Sequence, residues 1–128
     1  MSLDTSYANP GYLLGRLFAA LERAQEQASP GGLNATIKDR FYGAASSTPV
    51  AVFAHLMKLK NHHIAKIGNK GMAVNLEKLI QEIVDKVDPR GSFPPHLSLD
   101  DQGRFAVGYY HQRQAFFTKK SDENPKEA

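Results

Sequence analysis

Apolar residues recur along this chain with the 3.6-residue period of α-helices and nowhere with the two-residue alternation of a half-buried strand. Asn9-Pro10 supplies an N-cap followed by a first-turn proline. Behind it Leu14, Leu17, Phe18, Leu21, Ala24 and Ala28 share one stripe, until Ser29-Pro30-Gly31-Gly32 breaks it. A shorter helix is expected from Thr36 to Ala45. Thr48-Pro49 repeats the opening signal, and Phe53, Leu56, Met57, Ile64 and Ile67 carry a third helix to the break at Gly68-Asn69-Lys70-Gly71. From Val74 onward, Leu76, Leu79, Ile80, Ile83, Val84 and Val87 give the cleanest stripe, supported by Glu82 and Lys86 four residues apart and ended by Asp88-Pro89. Gly91 and Pro94-Pro95 mark Arg90 to His96 as a loop, because proline lacks a backbone donor and disfavours helix in the residue before it. Ser98, with Asp101 three residues on, caps a last helix whose apolar face is Phe105, Ala106, Tyr109, Tyr110, Phe116 and Phe117. The pattern predicts an all-α fold, a single helical bundle of about five helices over residues 11–120, with an N-terminal arm at 1–10 and a frayed polar tail at 121–128.

Composition narrows the chemistry. With 128 residues, 41% of them apolar, the chain has material for one hydrophobic core and none for a second. The lack of cysteine removes disulfides, thiolate metal sites, iron–sulfur clusters and cysteine nucleophiles together. No run of about 18 apolar residues exists to span a bilayer, and Met1 to Asn9 lacks the basic start and apolar stretch of a secretory signal. A soluble, cytoplasmic protein with no membrane association is expected.

Charge changes the picture through its distribution, since a net +3 is too small to argue for a polyanionic partner. Between Asn34 and Gly71 six basic residues (Lys38, Arg40, Lys58, Lys60, Lys66, Lys70) face Asp39 alone. From Met72 to Gly103 acids dominate, and from Arg104 to Lys120 there are only bases. Basic segments flanking an acidic one are expected to converge on one positive face after folding; ordinary mixed surface charge is the plainer alternative. On the third helix His55, Lys58, His62 and Lys66 lie within about 80° of one another, a ridge about 16 Å long with Lys70 just past its end. Such a ridge can track a phosphate backbone without reading sequence, or be a solvated helix face. Arg16 and Arg23 fall seven apart on the side of the first helix opposite its stripe, and Arg104 and His111 on one side of the last, with Gly108 and Ala115 beside them. Those small residues either admit another backbone or form an internal packing groove.

Two charges sit within apolar stripes, Lys60 and Arg113, and each needs a carboxylate, an escape to solvent or a partner. For Arg113 a structural pair is expected, with Asp39 as candidate acceptor. Tyr42, Tyr110 and Phe41 are the aromatics to consider for stacking on bases, with core packing the alternative. Nothing in the histidine spacing makes a metal site: His62 and His63 point about 100° apart and no H-E-x-x-H pattern occurs. Neither a phosphate-binding glycine loop nor a nucleophile elbow is present, so no enzyme and no cofactor is expected.

Four stretches carry a family likeness: Gly11 to Leu17, Asn34 to Pro49, Asn61 to Ile67 and Gly103 to Gln114. Together, over residues 11 to 118, they resemble the C-terminal region of the large subunit of type I-C CRISPR effector complexes. The resemblance implies a free-standing copy of that region, the complex's small subunit, which in these systems is made separately by internal translation of the large-subunit gene. It further implies an all-helical, non-catalytic protein in the belly of the guide-RNA filament. Its expected partners are the filament's backbone subunits, the large subunit, a second copy of itself, the guide RNA, and the target and displaced DNA strands. Base pairing reads sequence in such complexes while protein supports the backbone. The resemblance supplies no specific contacts, so the candidate nucleic-acid-binding residues (Arg16, Arg23, Lys58, His62, Lys66, Lys70, Arg104 and His111) rest on helix geometry and charge. The competing readings are a purely structural scaffold between protein subunits and a metal-dependent hydrolase using His55 and His62.

Overall fold

The chain forms the expected all-α bundle. In the computed structural model residues 2–32, 36–88 and 92–127 are described, with side chains as far as Thr118, and among them there are five helices and no strand. They are α1 (Pro10–Ala28), α2 (Ile37–Ser47), α3 (Pro49–Lys66), α4 (Lys70–Val87) and α5 (Leu99–Glu127). Local chemistry sets most of the ends. Asn9 accepts from the Tyr12 amide at 3.1 Å, Asn69 from Met72 at 3.1 Å and Ser98 from Asp101 at 3.1 Å. Thr36 and Asp39 form a reciprocal capping box at the start of α2. Thr48 makes no side-chain cap for α3; its hydroxyl instead donates back to Ala44 O, closing α2, and Pro49 opens α3 one residue later. Two boundaries differ from expectation. α4 begins at Lys70 and not near Val74, because Asn69 caps it and places Lys70 and Gly71 in its first turn. α5 reaches Glu127, into the stretch read as a tail; the side chains there lie outside the described residues.

α1 is the axis of the bundle. Residues 11 to 22 are buried without interruption, Arg16 and Glu22 included, so the helix has no polar face over that length. All four other helices pack on it, whereas no Cα of α5 lies within 8 Å of one on α3 or α4 among the described residues. Phe18 sits at the centre, with ring centroids of Tyr42, Phe53, Phe105 and Tyr109 between 5.5 and 6.4 Å away. The α4–α5 connection is tied to the core where it is described: Phe93 stacks on Phe53 at 5.4 Å, Val50 N donates to Pro94 O and Leu97 N to Ser47 O.

Glycine sets the spacing of α1 against α5. A Cβ on Gly15 would collide with the Phe105 carbonyl and the Tyr109 amide nitrogen, and one on Gly108 with the Tyr12 carbonyl. Gly11 meets the backbone of Asp101 in the same way. Here the obstacle is main chain on both sides, which cannot rotate away as a side-chain tip can. Gly108 therefore belongs to an internal packing groove and admits no outside backbone.

A polar cluster locks the same pair of helices further along. Tyr109 Oη donates to Glu22 Oε1 at 2.6 Å, and Arg113 Nη1 reaches Glu22 at 3.1 Å and Glu26 at 2.9 Å. Arg113 thus finds its structural pair in α1 and not in Asp39, which the capping box already occupies. Burial raises the Glu22 pKa more than the Tyr109 hydrogen bond and the Arg113 charge lower it.

Gly15→Ala is expected to lose about 1–3 kcal/mol or more of stability in chemical denaturation, although alanine is the better helix former by about 1 kcal/mol. Gly43→Ala, on α2 with nothing within 4 Å of the added Cβ, is expected to gain roughly 0.5–1 kcal/mol. Arg113→Met strands the Glu22 carboxylate and should cost about 3 kcal/mol near pH 7. Since the folded Glu22 pKa lies above its ordinary 4.5, stability linked to its protonated form is complete below that value and lost as pH rises through the folded pKa. The Arg113→Met deficit should therefore shrink when unfolding is repeated near pH 4.

Candidate nucleic-acid interface

The ridge expected on α3 is present. His55, Lys58, His62 and Lys66 are all exposed on the face turned away from α1, and Lys70 is exposed at the first position of α4. None of Lys58, His62, Lys66 and Lys70 has an ion-pair partner among the described residues, so their donors are free for an outside acceptor. The His55 ring packs edge-on against Phe41 of α2 at 5.5 Å. At the far end, the N-terminal amides of α4 add the positive end of a helix dipole beside Lys70. Lys60 takes no part: it is buried between α3 and α4, where Nζ lies 2.7 Å from Glu77 Oε2. The mid-stripe charge thus becomes a tie between two helices.

The other four candidates lie elsewhere. Arg16 is buried at 2% exposure and donates from Nε to Gln112 Oε1 at 2.9 Å, so the open polar side of α1 expected around it is corrected: that side is packed against α4 and α5. Arg23 is half-buried, with its guanidinium 4.8 Å from the Phe117 ring centroid and 3.5 Å from Glu26. His111 is half-buried, with Nδ1 2.8 Å from Tyr12 Oη. Arg104 is exposed but paired with Asp101 at 3.2 Å, and Tyr7 and Asp101 hold its pKa up. Among the residues whose side chains are described, Arg104 and Arg113 of α5 are held by Asp101, Glu22 and Glu26 and do not extend the α3 ridge, so the expectation of a continuous track is corrected there to a single ridge on α3 with Lys70; Lys119 and Lys120 lie outside the residues whose side chains are described.

A second cationic feature escaped the sequence reading. Lys38 Nζ on α2 lies over three tyrosine rings, 5.7 Å from the centroid of Tyr42, 5.0 Å from Tyr109 and 5.8 Å from Tyr110. Tyr42 joins the core cluster through Phe18 and Phe105, Phe41 packs against that cluster as well, and Tyr110 stands 62% exposed. The i to i+4 spacing of Lys38 and Tyr42 was visible in the sequence; the arrival of Tyr109 and Tyr110 from α5 was not.

Among the described residues no three His, Cys, Asp or Glu side chains gather in a way that could hold a metal ion, and no helix is long and apolar enough to cross a membrane. The sequence model of the CRISPR-associated protein family Cas_Csd1 matches residues 1–117. No curated protein matches the chain.

His63, half-buried beside the ridge, provides a reporter. Burial, and then the charges of His62 and Lys66, push its pKa below the ordinary 6.5. Neutral His63 therefore supports the fold above pH 6.5, and that support fades as pH falls through the folded pKa. A polyanion on the ridge offsets the two neighbouring cations. Ring-proton NMR titration should show a depressed His63 pKa in the free protein that rises when an oligothymidylate is added at low salt. An unchanged value in a bound sample places the nucleic acid elsewhere.

Proposed function

The chain belongs to the Cas_Csd1 family of CRISPR-associated proteins, the large-subunit family of type I-C systems, and on that premise we propose that it acts as the non-catalytic small subunit of an RNA-guided surveillance complex. In this reading it stabilises the assembly and supports the target and displaced DNA strands of the R-loop during antiviral defence. The observation that carries the reading is the row of uncompensated cations on α3. A fold that pairs Lys60, Arg104 and Arg113 with carboxylates leaves Lys58, Lys66 and Lys70 without any among the described residues. Unpaired, rotatable ammonium groups about 12 Å apart along α3, with a third at the start of α4, suit a sugar-phosphate strand, whose charge is regular and whose bases are read by the guide. Binding of this kind needs no cofactor and no catalytic group. The partners that follow are the filament's backbone subunits, the large subunit, a second copy of the chain, the guide RNA and both DNA strands.

The scaffold reading has one observation in its favour. Leu99 (85% exposed), Val107 and Tyr110 are exposed apolar side chains on α5, a different helix from the one that carries the ridge. Such side chains suit a protein neighbour better than a phosphate backbone. The two faces are separable by mutation. Reversing Lys58 and Lys66 to glutamate should leave the melting temperature and the assembly intact. It should weaken R-loop retention about tenfold or more at physiological salt, and lower the slope of log K against log[salt] by about 1–2. Equal retention by variant and wild type across a salt series removes nucleic-acid support from the account and leaves the scaffold.

A further inference from the structure

Of the three aromatics considered for stacking on bases, Phe41 and Tyr42 pack against the core cluster and Tyr110 does not. Tyr110 stands 62% exposed on α5, and two neighbours hold its ring. Tyr109 meets it edge-on, with centroids 5.4 Å apart at 75°, and the Lys38 ammonium of α2 lies 5.8 Å from its centroid. Such bracing fixes the ring before a ligand arrives and so lowers the entropy lost when something stacks on it. Lys38 is exposed and has no ion-pair partner among the described residues. Asp39, next in the chain, is engaged in the Thr36 capping box. Glu22, on which the Lys38 charge acts, is buried and already bonded to Tyr109 and Arg113.

An occupant of this patch therefore has to bring a flat apolar face for Tyr110 and an anion for Lys38. A purely apolar protein segment supplies the first alone and would bury an uncompensated ammonium. A nucleotide supplies both, since its base is joined to its phosphate through one sugar. That base must be unpaired, because inside a duplex both of its faces are already stacked. Phe117, 49% exposed, falls seven residues on, about 10 Å along the same side of α5, and offers a second ring. The Arg23 and Arg113 guanidinium groups lie 4.8 and 5.0 Å from its centroid but are answered by Glu22 and Glu26, so the free charge comes from Lys38. Two rings on one side of a helix suit a strand better than a lone nucleotide. Leu99, about 16 Å back along α5, lies outside the patch.

We propose that Tyr110 and Lys38 form a stacking site for single-stranded nucleic acid, in which an unpaired base lies on the Tyr110 ring and its phosphate meets the Lys38 ammonium. Phe117 is the next aromatic step along the strand. The inference rests on reading the chain as a nucleic-acid-supporting subunit, and it adds to the α3 ridge, which needs only phosphates, a second surface that needs unpaired bases.

Fluorescence anisotropy of the full chain with a labelled oligothymidylate, and with a labelled duplex of mixed sequence, tests the site. Tyr110→Leu keeps apolar volume and removes the aromatic face. It is expected to weaken oligothymidylate binding about tenfold, with melting temperature, salt slope and duplex affinity unchanged. Tyr110→Phe is expected to bind as wild type does. Lys38→Gln should weaken oligothymidylate binding and lower its slope of log K against log[salt] by about 0.7. An iodouracil-substituted oligonucleotide is expected to cross-link to Tyr110 on irradiation, and thymidine monophosphate to compete far less well than the strand. Oligothymidylate binding by Tyr110→Leu equal to wild type overturns the proposal. So does an equal loss of duplex binding, a Tyr110→Phe variant as weak as Tyr110→Leu, a monophosphate that competes as well as the strand, or a wild-type chain with no affinity for oligothymidylate at low salt. If Tyr110→Leu binds oligothymidylate normally but enters the reconstituted complex poorly, the patch docks a protein segment and the proposal falls. A silent Tyr110→Leu beside an effective reversal of Lys58 and Lys66 overturns this inference alone, whereas equal R-loop retention after that reversal overturns the ridge reading on which it builds.

Discussion

The bundle is organised by the main-chain contact of α1 with α5 through Gly15 and Gly108. At those positions each helix meets the other's backbone with no side chain between. Burying α1 so closely on one side lets the remaining helices cover its other sides, which is why residues 11 to 22 have no solvent face. A helix enclosed in this way has to resolve every polar group it carries. Glu22 is resolved within the chain by Tyr109 and Arg113. Arg16 is resolved only in part, by Gln112.

The same constraint arranges the surfaces. With α5 and α3 apart, Arg104 and Arg113 do not join the cations of α3, and a groove remains between α4 and α5. Among the described residues the molecule then presents two distinct faces: the unpaired lysine ridge of α3 and the exposed apolar side chains of α5. A subunit that contacts both nucleic acid and protein neighbours needs such a separation, because a surface suited to phosphate is poorly suited to an apolar partner.

The helices were legible because caps and periodicity are local. Asn9, Ser98 and the stripes of α3 and α4 behave as their spacing implies, and the ridge from His55 to Lys66 follows from the angle per residue alone. What was not legible depends on which helix meets which. Arg16 lies opposite the large apolar residues of α1, a spacing that implies an open polar side; the close approach of α5 at Gly11 and Gly15 covers that helix all round. Asp39 was offered to Arg113 on charge, when Thr36 three residues before it already marked a capping box and Glu22 and Glu26 were the acidic residues on α1. The scatter of the basic segments has the same origin, since sequence shows charge along the chain and not the side of α1 on which each helix lies.

The central claim is that the α3 ridge touches nucleic acid in the assembled complex. A cryo-EM map of the R-loop-bound assembly, resolved well enough to place lysine side chains, tests it most directly. The account predicts phosphate oxygens within hydrogen-bonding reach of the Lys58 and Lys66 ammonium groups, about 2.7–3.2 Å. A ridge that faces bulk solvent or is packed against protein in that map contradicts it.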